Sequence, residues 1–199
     1  MTKDRKFTII LLVAAAVLVL VDQFTKLAAF GVPMLGMNFT GIARGEYISV
    51  IGDFLQFTYV ENPGMAFGIS FGAGKILLSL FSVAASIALI WYIFKIEKYS
   101  RFMRSAFALI LAGAVGNLID RVFYGILLQG RDLFYGNVID FIMVDIPDIN
   151  IGDFSYSHWP VFNIADACVT IGVILLLVNY KNIPQFEELK GKSDDDTSR

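Results

Sequence analysis

Apolar positions in this chain fall into long blocks separated by polar stretches. The first runs unbroken from Phe7 to Val21 and continues past Asp22 and Lys26 to about residue 30; Lys75 to Phe94, Ser105 to Tyr124 and Val161 to Tyr180 repeat the pattern. A helix needs about 20 mainly apolar residues to cross the hydrocarbon core of a bilayer. The blocks therefore predict four transmembrane helices, over about 7–30, 75–94, 105–124 and 161–180. Residues 37–71 are too polar to span, and within them Ile48 to Val60 is rich in β-branched and aromatic residues around Gly52-Asp53, a two-residue hairpin signal. A small extracytoplasmic β element is expected there. Residues 125–160 read as a long mixed loop, and 187–199 as a disordered tail. The fold class expected is an all-α membrane protein, four transmembrane helices with a small extramembrane β element, in a single domain.

Composition agrees with that class. The chain has 199 residues, 56% hydrophobic and 17% charged, with a mean hydropathy of +0.65, outside the range of soluble domains. The basic N-terminus before an apolar run resembles a cleavable signal peptide, but the run continues without a small-x-small cleavage site and three more spans follow. A retained first helix is the expectation. Lys3, Arg5, Lys6, Lys95, Lys98, Arg101, Arg104, Lys181, Lys190 and Lys192 all fall on one side of the four helices, which by the positive-inside rule makes both termini cytoplasmic. The two long loops then lie outside, and with them Asp22, Asn62, Asp120, Asp140 and Asp166. One cysteine, Cys168, and one histidine, His158, supply haem, metal-cage and Cys/His chemistry poorly.

The informative residues are polar ones in apolar surroundings. An ionised Asp at the centre of a membrane helix costs about 2.5–3.5 kcal/mol on the lower scales, so one kept there usually faces a partner or a wet cavity. Asp166 sits near the first turn of the last apolar block, and Asn163 and Thr170 share its helical stripe. Asp140 stands between apolar neighbours, unlike Asp148 or Asp153. Asp22 and Lys26, four apart, read as an ion pair; Asp120-Arg121 reads as an interfacial pair, Asn117 as a bond to a neighbouring helix, and Gly113 and Gly116 as sites of close helix packing. Two carboxyls close together retain one proton between them, so Asp140 and Asp166 could activate water and protonate a carbonyl. The residues alone leave this open beside a proton- or ion-coupled path through Asp22, Asp120, Asp140 and Asp166. Crowding of the polar residues at one end favours surface chemistry. A His-Glu-x-x-His metalloprotease motif is missing.

In order along the chain, Asp22-x-x-x-Lys26, Asn62-x-Gly64-x-Ala-Phe67, Gly116-Asn-Leu-Ile-Asp-Arg121, Val138-Ile-Asp-Phe141 and Phe162-Asn-Ile-Ala-Asp166 closely resemble the bacterial lipoprotein signal peptidases, or signal peptidase II. The resemblance covers nearly the whole helical part. It implies a multi-pass aspartyl endopeptidase of the bacterial inner membrane, its active site near the extracytoplasmic face, cleaving prolipoproteins just before a diacylglyceryl-bearing cysteine. It puts Asp140 and Asp166 at the catalytic positions, and Asn62, Gly64, Asn117, Asp120, Arg121 and Asn163 at positions that line or brace the site. Asp22 and Lys26 match positions that stabilise the first helix. No metal or other cofactor and no nucleic acid is implied; membrane lipids, a monomer and globomycin-type inhibitors are. Phe67, Phe141 and Phe162 are candidates to line the path of the substrate's lipid. The extra-looking segment Leu127 to Tyr135 suggests a lid or clamp, as long loops over sites often are, and Asp145 and Asp148 are spare carboxylates near the site.

Overall fold

The computed structural model describes residues 2–34, 36–64, 74–98, 100–151 and 154–180. Among the described residues three helices are long and apolar enough to cross a membrane: α1 (Lys3–Phe30), α2 (Gly74–Lys95), and the run Arg101–Leu128. That last run is α3 (Arg101–Ile119), a π-helical turn (Asp120–Tyr124) and a short α4 (Gly125–Leu128). The fourth apolar block forms a helix too, but α5 (Ile164–Val178) has 15 residues. At 1.5 Å per residue it is about 22 Å long, short of the roughly 30 Å of a hydrocarbon core. The described helix is shorter than the expected span over 161–180, because Asn163 caps it and Phe162 pairs with the sheet.

The surface of the helices is inverted relative to a soluble protein. Ile10, Val13 and Leu20 of α1, Leu77 and Phe81 of α2 and Leu177 and Val178 of α5 are exposed, while Asp22, Lys26, Arg104, Asn117 and Asp120 are buried. Apolar side chains face outward to lipid and these polar ones bond between helices, as bilayer solvation requires. Arg104 at the start of α3 donates to Asp4 O at 3.1 Å and Thr8 Oγ1 at 3.0 Å, so the first turns of α1 and α3 lie together. α3 is the central helix. A Cβ at its Gly113 would fall 2.2 Å from Ala165 O, and one at Gly116 would fall 2.8 Å from Asp22 Oδ2; glycine there lets α5 and α1 close on α3, as the sequence suggests.

The β element is larger than the sequence predicts. The hairpin exists: β1 (Ile48–Ile51) and β2 (Leu55–Asn62) are antiparallel, joined through residues 52–54, with Gly52 at φ +51. The region read as a mixed loop, however, holds two more strands, β3 (Val138–Ile151) and β4 (Phe154–His158), giving an antiparallel order β1-β2-β3-β4. β3 pairs β2 through its first half and β4 through its second. Pro147, Asp145, Asp148 and Asn150 hide this strand, being residues depleted from strands; the register breaks where they occur, between Asp145 and Ile149. The basic residues Lys181, Lys190 and Lys192, the tail 187–199 and Asp153 lie outside the described residues.

Candidate active site

Asp140 reaches the site from β3. Its side chain is 2% exposed, and its carboxylate accepts Asn163 Nδ2 on Oδ1 at 2.6 Å and Asn62 Nδ2 on Oδ2 at 3.1 Å. Burial pushes its pKa up to about 7, with the charge of Asp166 adding to the rise and the two amide donors opposing it. The spare carboxylates Asp145 and Asp148 are exposed.

Asp166 reaches the same place from α5. Just before that helix the chain adds a bridge to β3: Phe162 exchanges backbone hydrogen bonds with Ile142 at 2.8 and 3.0 Å, and Phe141 N–H donates to Phe162 O at 3.1 Å. Asn163 follows in extended conformation as the N-cap. Its Oδ1 accepts Asp166 N–H at 2.9 Å and Asp166 Oδ2 accepts Asn163 N–H at 3.3 Å, a reciprocal capping box. Asp166 is thus the third residue of α5, with Thr170 one turn on. Asn163 shares the site through the cap, not through a helical stripe.

The three asparagines tie the carboxylates together. Asn117 of α3 donates Nδ2 to Asp166 Oδ1 at 2.7 Å, and its Oδ1 accepts Asn163 Nδ2 at 3.2 Å and Lys26 Nζ at 2.9 Å. Asn62, at the end of β2, is held by Gly64, whose N–H donates to Asn62 Oδ1 at 3.0 Å and so turns Nδ2 toward Asp140. Gly64 sits at φ +84, a conformation that costs a Cβ-bearing residue about 1–2 kcal/mol.

Beneath this layer lies a buried ion cluster. Lys26 Nζ is 2.8 Å from Asp22 Oδ2 and 2.8 Å from Asp120 Oδ2, with all three side chains at most 1% exposed. The i, i+4 pair expected from sequence is therefore present, but Asp120 pairs with Lys26 and not with Arg121. Asp120 also accepts Gln23 Nε2 at 3.0 Å and the backbone N–H of Ile139 at 3.2 Å, and Asp22 accepts the backbone N–H of Ala165 at 2.8 Å. The cluster thereby grips the residue before Asp140 and the residue before Asp166. Gln23, bonded in turn by Tyr124 OH at 2.9 Å, carries no motif, and only its position beside Asp22 could have marked it. Arg121 is half-buried beside the carboxylates; among the described residues it makes no ion pair and its Nε has no hydrogen-bond partner.

A cavity of about 500 Å³ opens beside Asp166 along α5, lined by Trp159, Pro160, Phe162, Ala167, Thr170 and Ile171. Phe162 lines this cavity, whereas Phe141 lines a separate apolar cavity of about 300 Å³ with Phe39 and Phe57, because successive strand residues point to opposite faces and Asp140 takes the inner one. Phe67 lies outside the described residues. Among the described residues no three His, Cys, Asp or Glu side chains form a metal-holding group.

Comparison with known proteins gives one answer. A family model described as signal peptidase (SPase) II matches residues 14–181. The lipoprotein signal peptidase of Pelodictyon phaeoclathratiforme is 35% identical over 188 residues, 94% of this chain and 96% of the relative. That of Chlorobaculum parvum is 37% identical over 167 residues, 84% of this chain and 92% of the relative. Two solved structures of bacterial membrane enzymes superpose with TM-scores of 0.58 and 0.59, at 32% and 31% identity. They cover 89% and 96% of this chain and 94% of each structure.

Proposed function

Since the chain belongs to the signal peptidase II family of membrane-embedded lipoprotein signal peptidases, we propose that it is an aspartic endopeptidase whose catalytic pair is Asp140 and Asp166. The observation that carries this reading is that two carboxylates from different elements both bond Asn163, Asp140 through its side-chain amide and Asp166 through its backbone N–H, and that Asp140 is buried with its proton retained to about pH 7. Asp166, which accepts Asn117 Nδ2 and Asn163 N–H, is the ionised member. It takes a proton from a water molecule whose oxygen adds to the scissile carbonyl carbon. Asp140 donates its proton to the carbonyl oxygen as it becomes the hydroxyl of a tetrahedral diol. Collapse of that diol breaks the C–N bond, the amine leaving with the proton that Asp166 received, while Asp140 recovers one from the diol.

The reading extends to the substrate and the membrane. The groove along α5 joins Asp166 to an apolar flank, so a peptide whose diacylglyceryl-cysteine chains stay in the bilayer would be delivered at the depth of the dyad, lowering the entropic cost of alignment. Arg121, which has no ion pair among the described residues, is available to a peptide carbonyl. The sheet and the dyad share one end of the helices, and Lys3, Arg5, Lys6, Lys95, Lys98, Arg101 and Arg104 lie at the other. That asymmetry supports an inner-membrane protein with the site outside and both termini inside, α5 completing a fourth crossing. One chain supplies both carboxylates and all three asparagines, which supports a monomer as the active unit, and globomycin-type compounds would compete at the same groove. The ion-path alternative finds no support in the relatives.

The test is cleavage of a diacylglyceryl-modified prolipoprotein by purified protein, comparing wild type with Asp140→Asn and Asp166→Asn. Both variants should fold and lose about 10²-fold or more of the activity. Cleavage near the wild-type rate by either variant overturns the dyad assignment.

A further inference from the structure

A second polar cluster sits on the far side of β2. Glu61 stands opposite Ile139 in the ladder, 12% exposed, and pairs with Arg44 and Arg131. Its Oε1 also accepts Tyr59 OH at 3.0 Å, and its Oε2 accepts Asn137 Nδ2 at 2.9 Å. Burial alone would raise its pKa, but the bonds from Asn137, Arg44 and Tyr59 outweigh burial and leave it lowered, so Glu61 is an anion at neutral pH. Asn137, 4% exposed, is bonded at every polar atom. Its backbone exchanges hydrogen bonds with the Gln129 side chain at 2.7 and 3.0 Å, and its Oδ1 accepts Lys75 Nζ at 2.8 Å and Arg131 Nη1 at 3.1 Å.

Position gives this cluster its consequence. Successive strand residues point to opposite faces, so a clamp on Glu61 fixes the roll of the strand that aims Asn62 at Asp140 Oδ2. The ladder is least able to do this by itself here, since the β2–β3 register shifts between Phe57 and Val60. Asn137 in turn immediately precedes Val138, the ladder partner of Asn62. The segment that carries Gln129, Arg131 and Asn137 is itself tied down: Arg131 N–H donates to Gly125 O at 2.8 Å, Phe134 N–H to Val122 O at 3.1 Å and Gly136 N–H to Arg121 O at 3.1 Å.

We propose that Glu61 and Asn137 are positioning residues of the cleavage reaction, clamping the end of β2 to β3 so that Asn62 is held on Asp140, and that residues 129–137 are a buttress of the site and not a lid. This rests on the assignment of Asp140 to the catalytic pair. Full-length Glu61→Ala and Asn137→Ala should each lower kcat about ten-fold or more with KM nearly unchanged, as loss of alignment does. Because the Asn62 donor opposes the rise of the Asp140 pKa, the alkaline limb of the rate profile should move to higher pH in both. Glu61→Gln keeps an acceptor for Asn137 and should recover most of kcat. In a double-mutant cycle, Glu61→Ala added to Asn62→Ala should cost nothing further. Wild-type kcat in well-folded Glu61→Ala and Asn137→Ala, or multiplicative losses in the cycle, overturns the clamp. Asp140→Asn in the same assay separates the two claims: if it is inactive, a failure of the Glu61 variants counts against the clamp alone, and if it is active, both claims fall.

Discussion

Asn163 bonds both carboxylate-bearing residues at once: its Nδ2 donates to Asp140 Oδ1 at 2.6 Å while its Oδ1 accepts the Asp166 backbone N–H at 2.9 Å. The amide cannot turn over without losing both bonds, because Oδ1 faces a backbone donor that only an oxygen can satisfy. The helix cap of α5 and the geometry of the dyad are therefore one structural fact.

Asn163→Asp separates those roles. Aspartate caps helices as well as asparagine does, whereas alanine costs about 1 kcal/mol. The cap should survive, but the donor to Asp140 is gone and a third carboxyl enters the site. Activity should fall about 10²-fold or more with little change in melting temperature. Activity assays and thermal melts on one preparation check this.

The raised pKa of Asp140 makes stability depend on pH in a definite direction. Its folded value of about 7 lies above the ordinary 3.8, so the folded state holds this proton more tightly than the unfolded chain. That contribution is fully present below about pH 4, declines as pH rises, and is lost by pH 7. Asp140→Asn mimics the neutral form. It should melt higher than wild type at pH 8 and no higher at pH 4; equal melting temperatures at both would contradict the buried, protonated carboxyl.

Lys26 pairs with two buried acids, with Nζ 2.8 Å from each. Lys26→Met leaves Asp22 and Asp120 facing one another and should cost about 3–5 kcal/mol, the usual penalty for an uncompensated buried charge. Adding Asp120→Asn to it removes one of those charges and should restore part of the stability, measured by denaturation in detergent. Activity should not return with it, because Asn117 Oδ1 loses the Lys26 donor in both variants.

Much of the site was legible in the sequence because a polar or charged group in an apolar run is expensive and therefore marked. Asp22, Lys26, Asn117, Asp120, Asp140 and Asp166 could each be singled out on that ground. The partners were less visible. Asp120 has Arg121 beside it in sequence but Lys26 beside it in space, since adjacent residues on a helix do not face each other. Glu61 was marked only as the first residue of the polar cluster that continues with Asn62, and Asn137 gave no signal in a segment read as a loop. β3 was missed because period and propensity both break at Asp145, Pro147 and Asp148, while β2 and β4 supply the pairing that holds it.

The sequence by itself determined that the chain is a helical membrane protein with a polar end and a hairpin, because burying apolar blocks in lipid and excluding charge from it are local demands that each segment must meet alone. Only the tertiary structure decided that Phe162 adds to β3 beside Ile142, which brings Asp166 to Asp140. It also decided that Lys26 serves two acids and that Phe141 turns away from the dyad. Those choices depend on hydrogen bonds between residues dozens of positions apart, whose energies exist only once the helices and the sheet have closed on one another.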